Sequence, residues 1–162
     1  MKWIALAAAL VVAVPGLRAD LKVGDRFPDL ASVGLTGAAL PETQGKVVLV
    51  DFWASWCAPC KASFPTYARL NSEFGPKGLV IVAVSVDQDP GAFHSFVGKY
   101  TPPFTAVLDH DHQLVSKAQV PTMPTSYLID KTGAVRAIHP GFHGEETEKT
   151  LRTEITALLS AN

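Results

Sequence analysis

Residues 56–60 have the sequence Trp-Cys-Ala-Pro-Cys and connect a predicted strand to the start of a predicted helix. An apolar run over 47–53 predicts a strand buried on both faces, and apolar residues at three- and four-residue spacing over 59–74 predict a helix. This segment therefore brings Cys57 and Cys60, the two cysteines of the chain, to the start of a helix. At that spacing both side chains lie on one face of the first turn, where their sulfurs are close enough to bond.

The position of the two cysteines favours redox chemistry. Free N–H groups and the positive end of the helix dipole favour negative charge at a helix start, so the thiol of Cys57 should ionise easily. A thiolate is the nucleophile of thiol–disulfide exchange, and Cys-x-x-Cys between a strand and a helix is typical of redox motifs. Two alternatives are a half zinc site, which lacks a second pair of cysteines, and a structural disulfide, whose short loop would add little stability.

The N-terminal residues resemble a secretory signal peptide. Lys2 supplies a positive charge, residues 3–14 are almost wholly apolar, and Ala19 is a small residue suited to cleavage. We expect residues 1–19 to be removed on export, with an uncleaved membrane anchor as the alternative, and residues 20–162 to form a single domain. The protein is then periplasmic or otherwise exported.

Export has consequences for the cysteine pair and its partners. In an oxidising compartment two neighbouring cysteines form a disulfide by default, so a reduced pair needs a dedicated electron donor, for which a membrane protein is the natural candidate. The formal net charge of −1 offers no basic face to nucleic acid or to anionic lipid. We therefore expect disulfides of exported proteins as substrates, no nucleic-acid partner, and a monomer.

The rest of the chain alternates predicted strands and helices. Residues 20–45 are rich in Gly, Pro and Asp and predict an extended N-terminal segment with one hairpin near 35–37. Apolar runs and helical spacing then predict strands over 79–86, 104–108, 125–129 and 134–139, and helices over 90–100, 113–119 and 145–159. This order predicts an α/β fold with a mixed central sheet flanked by helices.

Three motifs resemble those of a known family. They are Val-Asp-Phe-Trp-Ala-Ser-Trp-Cys-Ala-Pro-Cys-Lys at 50–61, Val-Ala-Val-Ser-Val-Asp at 82–87, and Val-Pro-Thr-Met-Pro-Thr-Ser-Tyr-Leu-Ile-Asp at 120–130. In these motifs the chain resembles the thioredoxin superfamily, and within it the exported TlpA/ResA type, over residues 23–159. The resemblance implies a thioredoxin fold, a cis peptide bond before Pro124, and dithiol–disulfide exchange without a cofactor.

The first motif supplies four candidate site residues. Cys57, exposed at the helix start, is expected to attack the substrate, and Cys60, one turn further on, is expected to resolve the mixed disulfide. Pro59 sets the backbone of the first helical turn and removes an N–H that would lack a partner. Trp56 is expected to flank the sulfurs as an apolar wall and, with Pro59, to contact the substrate.

The residues between the cysteines predict the direction of electron flow. Ala58 and Pro59 carry neither a charge nor a side-chain donor that would stabilise the Cys57 thiolate further. Strongly oxidising pairs are those whose thiolate is stabilised most. The sequence therefore predicts a reductant whose potential is nearer that of thioredoxin than that of a strong oxidant.

The dipeptide Met123-Pro124 is a second candidate for substrate binding. The resemblance implies that it lies against the cysteine pair. The implied cis bond would expose the backbone of Met123, so that a substrate strand could pair with it beside Cys57.

Asp51 is the candidate base. It lies in an otherwise apolar strand ahead of Cys57, so burial should raise its pKa and make its proton exchangeable near neutral pH. In thioredoxins the matching aspartate assists deprotonation of the resolving cysteine, which corresponds to Cys60. Asp87 is the second candidate for this role, and exposure of Asp51 at the end of its strand is the structural alternative.

The five histidines allow one alternative function. Thiolates suit Cu(I), so Cys57 and Cys60 with one histidine would make a copper(I) chaperone or carrier. His110 and His112 lie two residues apart, but they fall in a polar turn, where a solvated loop is the simpler interpretation. We expect disulfide exchange and no metal site.

Overall fold

The structure, a computed structural model, describes residues 20–161, so the predicted signal peptide lies outside the described residues. Within them the strands are β1 (Thr36–Gly37), β2 (Val47–Trp53), β3 (Leu79–Ser85), β4 (Thr105–Leu108), β5 (Thr125–Ile129) and β6 (Val135–Pro140). The α-helices of the same part are α1 (Ala58–Phe74), α2 (Pro90–Tyr100), α3 (Gln113–Ala118) and α4 (Glu145–Ser160). From β2 onward every predicted element is present, with its ends within about one residue of the prediction.

β2 is a central strand of a six-stranded mixed sheet of order β1-β4-β3-β2-β5-β6. It pairs with β3 in parallel and with β5 antiparallel, and all 7 of its residues are buried. A strand that is covered on both faces needs apolar side chains in both directions, which is why its sequence shows no alternation. Asp51 is the one charged residue in it, and this exception marks a site that packing alone does not explain.

The two faces of the sheet are covered by different elements. On one face α1, α2 and α4 pack against side chains that include Leu49 and Trp53 of β2. On the other face α3 and the N-terminal segment pack against side chains that include Val50 and Phe52. Successive side chains of a strand point to opposite faces, so Asp51 shares the face of Leu49 and Trp53 and points toward α1.

One edge of the sheet collects the predicted site residues. β2 and β3 are parallel, so the segments that follow them, which carry Cys57 and Asp87, leave the sheet at the same edge. β5 runs antiparallel to β2 with Thr125 opposite Phe52, so Pro124 also lies at this edge. Sites of α/β sheets commonly lie outside the carboxyl ends of parallel strands, and this edge is such a place.

The N-terminal segment is largely extended, as predicted, apart from a short 3-10 helix at Leu30–Ser32, but the hairpin predicted near 35–37 does not form. Thr36 and Gly37 pair instead with Leu108 and Val107 of β4 and add an antiparallel strand at the edge of the sheet. The backbone groups of β4 on that side would otherwise lack strand partners. The turn signal in the sequence therefore marks a short edge strand whose partner is distant in the chain.

Candidate active site

The two cysteines form a disulfide at the start of α1. The sulfurs of Cys57 and Cys60 are 2.09 Å apart, and the two Cα atoms are 5.3 Å apart. Cys57 is the N-cap of the helix, and its sulfur accepts a hydrogen bond from the Cys60 amide at 3.2 Å. An amide that donates to this sulfur also stabilises negative charge on it, so the geometry favours Cys57 as the thiolate.

The sulfurs are more enclosed than the sequence predicted. Cys57 is 5% exposed and Cys60 is 0% exposed, whereas a position at the helix start predicted an exposed Cys57. The difference arises because both cysteines pack in a cluster that contains Trp53 and Phe64, with Met123 against it. Cys57 is nevertheless the more exposed of the two, as an attacking cysteine must be, and Cys60 is fully enclosed, as suits a resolving cysteine.

Asp87 holds the loop that leads to the cysteines. Its two carboxyl oxygens accept hydrogen bonds from the Ser55 amide, each at 3.1 Å, and from the hydroxyls of Ser55 at 2.8 Å and Ser85 at 2.7 Å. The side chain is buried, so these contacts occupy a carboxyl group that has little access to water. The second candidate base thus has a structural contact to the loop, and the sequence analysis had singled out neither serine.

The candidate substrate-binding residues differ in exposure. Trp56 is 69% exposed, so most of the predicted apolar wall faces solvent. Pro59 lies exposed in the first turn of α1. Met123 is partly buried against the cluster that contains both cysteines, and its bond to Pro124 is cis, as the resemblance implied. An exposed aromatic ring and a partly buried thioether therefore lie in the neighbourhood of Cys57.

Asp51 is enclosed beneath α1, and its carboxyl group is only partly satisfied. The residue is 0% exposed, so the alternative of an exposed strand end is wrong. Oδ1 accepts a hydrogen bond from the Tyr67 hydroxyl at 2.8 Å, whereas Oδ2 has no partner among the described residues. Burial raises the pKa of Asp51 to about 8, and the hydrogen bond from Tyr67 opposes part of that rise. The pKa of Asp51 is therefore raised toward the neutral range, as its burial predicts, and its role as the base stays a prediction.

Tyr67 is a candidate site residue that the sequence pattern does not distinguish from the apolar residues on the buried face of α1. The phenolic oxygen lies in a buried polar cluster with Asp51, Ser63 and Ser126. Burial raises the pKa of Tyr67 well above its usual range, so the phenol keeps its proton and acts as a donor. One signal was present in the sequence, because Tyr67 follows Cys60 by two helical turns on the same face.

The geometry does not support the copper(I) alternative. Residues 20–161 contain no group of three or more His, Cys, Asp or Glu side chains that could hold a metal ion. His110 lies in an exposed turn beside Asp111, and His112 Nε2 is 3.1 Å from the carbonyl oxygen of Val86. The histidine pair of the polar turn therefore has local partners.

Comparison with known proteins identifies relatives over most of the chain. The model of the Redoxin family matches residues 22–155. Thiol-disulfide oxidoreductase ResA of Oceanobacillus iheyensis is 33% identical over 147 residues, which cover 85% of this chain and 77% of that protein. Thiol-disulfide oxidoreductase ResA of Bacillus subtilis is 38% identical over 102 residues, which cover 63% of this chain and 57% of that protein.

Solved structures share the fold. A Chlorobium tepidum protein assigned as thiol:disulfide interchange protein DsbE matches with a TM-score of 0.77 and 33% identity, over 87% of this chain and 100% of that chain. A thioredoxin-like protein in its oxidised form matches with a TM-score of 0.72 and 24% identity, over 86% of this chain and 98% of that chain. The predicted thioredoxin fold is confirmed.

Proposed function

This chain belongs to the Redoxin family and is a thiol–disulfide oxidoreductase, and we propose that its Cys57/Cys60 dithiol reduces disulfides of exported proteins. One observation carries the proposal: the Cys57 sulfur caps α1 and accepts a hydrogen bond from the Cys60 amide. A sulfur with such a donor is activated as a thiolate when the pair is reduced, and its neighbour is close enough to close the disulfide again.

The first step of the proposed reaction breaks the substrate disulfide. The Cys57 thiolate attacks one substrate sulfur and forms a mixed disulfide with it. The other substrate sulfur leaves with the electron pair of the broken bond and takes a proton from solvent. Cys57 attacks because it caps the helix, whereas Cys60 is fully enclosed. Trp56 and Met123 contact the substrate around the new bond.

The second step releases the substrate. The thiol of Cys60 gives its proton to the carboxylate of Asp51 and attacks the sulfur of Cys57, so that the mixed disulfide breaks and the substrate leaves as a thiolate that is then protonated. The protein gives two electrons to the substrate, and it loses two protons once the earlier ionisation of Cys57 and the later release of the Asp51 proton to solvent are counted, which balances the two protons that the substrate takes up. Burial raises the pKa of Asp51 to about 8, which suits a group that must accept a proton and return it near neutral pH.

The surroundings of Cys57 favour the reducing direction. Ala58 and Pro59 add no charge near the sulfur, and Lys61 is exposed on the helix surface, where water and salt screen its charge. Strong stabilisation of the thiolate gives the oxidant DsbA a potential of about −120 mV, against about −270 mV for thioredoxin. We expect a potential nearer the second value and an active dithiol form.

The proposed reaction takes place outside the cytoplasm. Residues 1–19 act as a signal peptide, either cleaved or kept as an anchor, and residues 20–162 form a single redox domain. No helix in the described part of the chain is long and apolar enough to cross a membrane. A membrane electron donor returns the disulfide to the dithiol, since an exported pair would otherwise stay oxidised.

Equilibration of the cysteine pair with glutathione buffers tests the direction of electron flow. The fraction of dithiol at each buffer potential is measured by alkylation of the free thiols followed by mass spectrometry. We expect the midpoint to lie nearer to about −270 mV than to about −120 mV. A pair that is still half reduced near the higher potential would be a disulfide donor, and the proposed direction would be wrong.

Trapping with Cys60→Ser tests the substrate class. This variant keeps the attacking thiol and lacks the resolving one, so mixed disulfides with exported proteins should accumulate on Cys57. Cys57→Ser is the matched control and should capture none. If Cys57→Ser captured the same adducts, the roles of the two cysteines would be reversed.

A further inference from the structure

We propose that Tyr67 is a positioning residue, which holds the Asp51 carboxyl group through Oδ1 and leaves Oδ2 to take the proton of Cys60. The inference deepens the proposed function, because it rests on Asp51 as the base of the release step. It adds a residue from the third turn of α1, outside the motif that contains the cysteines.

The first support is that the Asp51 carboxyl group has a single hydrogen-bond partner within residues 20–161. The Tyr67 hydroxyl donates to Oδ1 at 2.8 Å, and Oδ2 has no partner there. Asp51 is 0% exposed and Tyr67 is 1% exposed, so water does not reach either group from the surface. A hydrogen bond to a charged group is stronger in such surroundings than in water, so the ionised form of Asp51 depends on this one donor.

The second support is the course of α1. Cys60, Ser63 and Tyr67 are all buried on the helix face that meets the sheet. Long side chains of a helix point back toward its N-terminus, so the ring of Tyr67 extends over the turn of Ser63 toward the end that carries Cys60. The Ser63 hydroxyl lies beside the phenol and donates to the carbonyl oxygen of Cys60 at 2.8 Å. Asp51, which is bonded to that phenol, is thereby fixed on the Cys60 side.

The hydrogen bond from Tyr67 gives the two carboxyl oxygens of Asp51 different roles. Oδ1 is held by the phenol, and Oδ2 is the oxygen with an open acceptor position. Because the phenol of Tyr67 stays protonated, it stabilises the carboxylate and opposes the effect of burial. Without the hydroxyl, Asp51 would hold its proton over more of the pH range and would accept the proton of Cys60 less often.

Other ionisable groups lie on the elements packed around Asp51. They include Cys60, Lys61, Tyr67, Arg69 and Glu73 of α1, Asp87 after β3, Arg136 and His139 of β6, and Glu145, Glu146, Glu148, Lys149, Arg152 and Glu154 of α4. His139 lies opposite Ser126, which lies opposite Asp51, so two strand spacings, about 10 Å, separate His139 from Asp51. His139 is bonded to Glu154 at 2.7 Å. Tyr67 is thus the ionisable group in direct contact with the carboxyl group.

The test is Tyr67→Phe, which removes the hydroxyl and keeps the ring. The first measurement is the Asp51 pKa, from the carboxyl carbon shift in NMR titrations of the disulfide form, where the cysteines do not titrate. We expect the pKa to rise by about one to two units, since a hydrogen bond to a charged group is lost. An unchanged Asp51 pKa would overturn the role of Tyr67, whether or not Asp51 is the base.

The second measurement is the rate of mixed-disulfide release as a function of pH. Ellman's reagent serves as the substrate disulfide. Stopped-flow absorbance follows the attack by Cys57 and the release by Cys60 as two separate phases. In Tyr67→Phe the release rate should fall by about tenfold at pH 7 and recover at alkaline pH, as one unit of pKa shift requires. Equal slowing at every pH would indicate a merely structural role and would overturn the proposal.

Two further variants separate the possible failures. Tyr127→Phe is the matched control, because Tyr127 is equally buried but donates to the Ala118 carbonyl at 3.2 Å on the opposite face of the sheet. It should leave the pH profile of release unchanged. In an Asp51→Asn background, Tyr67→Phe should slow release no further, and additional slowing would overturn the proposal. Wild-type release in Asp51→Asn alone would instead refute Asp51 as the base.

Discussion

Replacement of Asp51 by Asn should stabilise the protein by an amount that depends on pH. Burial raises the pKa of this carboxyl group from an ordinary value of 3.8 to about 8. The unfolded chain releases the proton near the lower value, whereas the folded protein holds it until the higher one. The free energy of unfolding of the wild type therefore falls as pH rises through this interval, because the unfolded state binds fewer protons. Asparagine has a similar shape and no charge, so the stability of the variant should not fall in this way as pH rises.

The size of the effect follows from the interval between the two pKa values. One unit corresponds to about 1.4 kcal/mol, so at pH 7 the variant should exceed the wild type by on the order of 4 kcal/mol. Well below pH 4 the carboxyl group is neutral in both states, and the difference should vanish. Well above pH 8 the carboxyl group is ionised in both states, so the difference should level off at roughly 6 kcal/mol.

Urea unfolding of the disulfide form between about pH 4 and pH 9 measures this difference, with tryptophan fluorescence as the signal. The disulfide form is used because its cysteines do not titrate. Asp111→Asn is the matched control, because its side chain is 69% exposed and the substitution should change the free energy of unfolding by less than about 0.5 kcal/mol at every pH. Parallel curves for the wild type and Asp51→Asn would refute the reasoning, since the buried carboxyl group would then keep its protonation state on unfolding.

Three further predictions concern the cysteines, the loop before them and the exposed ring. In the reduced protein Cys57 should be alkylated well before Cys60 at neutral pH, because Cys60 is fully enclosed. Peptide mass spectrometry measures the two alkylation rates, and equal rates would contradict the assigned roles. Asp87→Ala should lower the free energy of urea unfolding by about 2–4 kcal/mol, because the Ser55 amide and two hydroxyls lose their acceptor, and a negligible change would show that these contacts are weak. Trp56→Ala should change the free energy of unfolding by less than about 0.5 kcal/mol but should raise the KM for a protein disulfide several-fold. An unchanged KM would exclude the ring from substrate binding.

The parts of the fold that sequence predicts well are those governed by local periodicity. The apolar run of β2, interrupted only at Asp51, predicts a strand covered on both faces, and the three- and four-residue spacing after Pro59 predicts α1. A charge inside such a run is costly to bury, so the sequence alone distinguishes Asp51 from its neighbours. These features depend on the residues themselves and on their immediate neighbours, which is why a single sequence is sufficient.

The contacts that the sequence analysis missed join segments that are distant in the chain. Thr36 pairs with Leu108 in β4, and a local turn signal contains no information about such a partner. The bond from Ser55 to Asp87 likewise exists because the parallel pairing of β2 and β3 brings their following loops to one edge. Register and pairing decide these contacts, and both are properties of the assembled sheet.

Tyr67 and Tyr127 show why the role of a buried polar group is hardest to predict. Both residues lie in apolar patterns and both are 1% exposed, so periodicity correctly predicts that both are buried. Their hydroxyls nevertheless meet different groups, a carboxyl oxygen of Asp51 in one case and the carbonyl oxygen of Ala118 in the other. The first contact changes an ionisation equilibrium, whereas the second only satisfies a backbone acceptor. The partner of the Tyr67 hydroxyl depends on how α1 packs on β2. It can therefore be identified only from the three-dimensional arrangement of the helix and the strand.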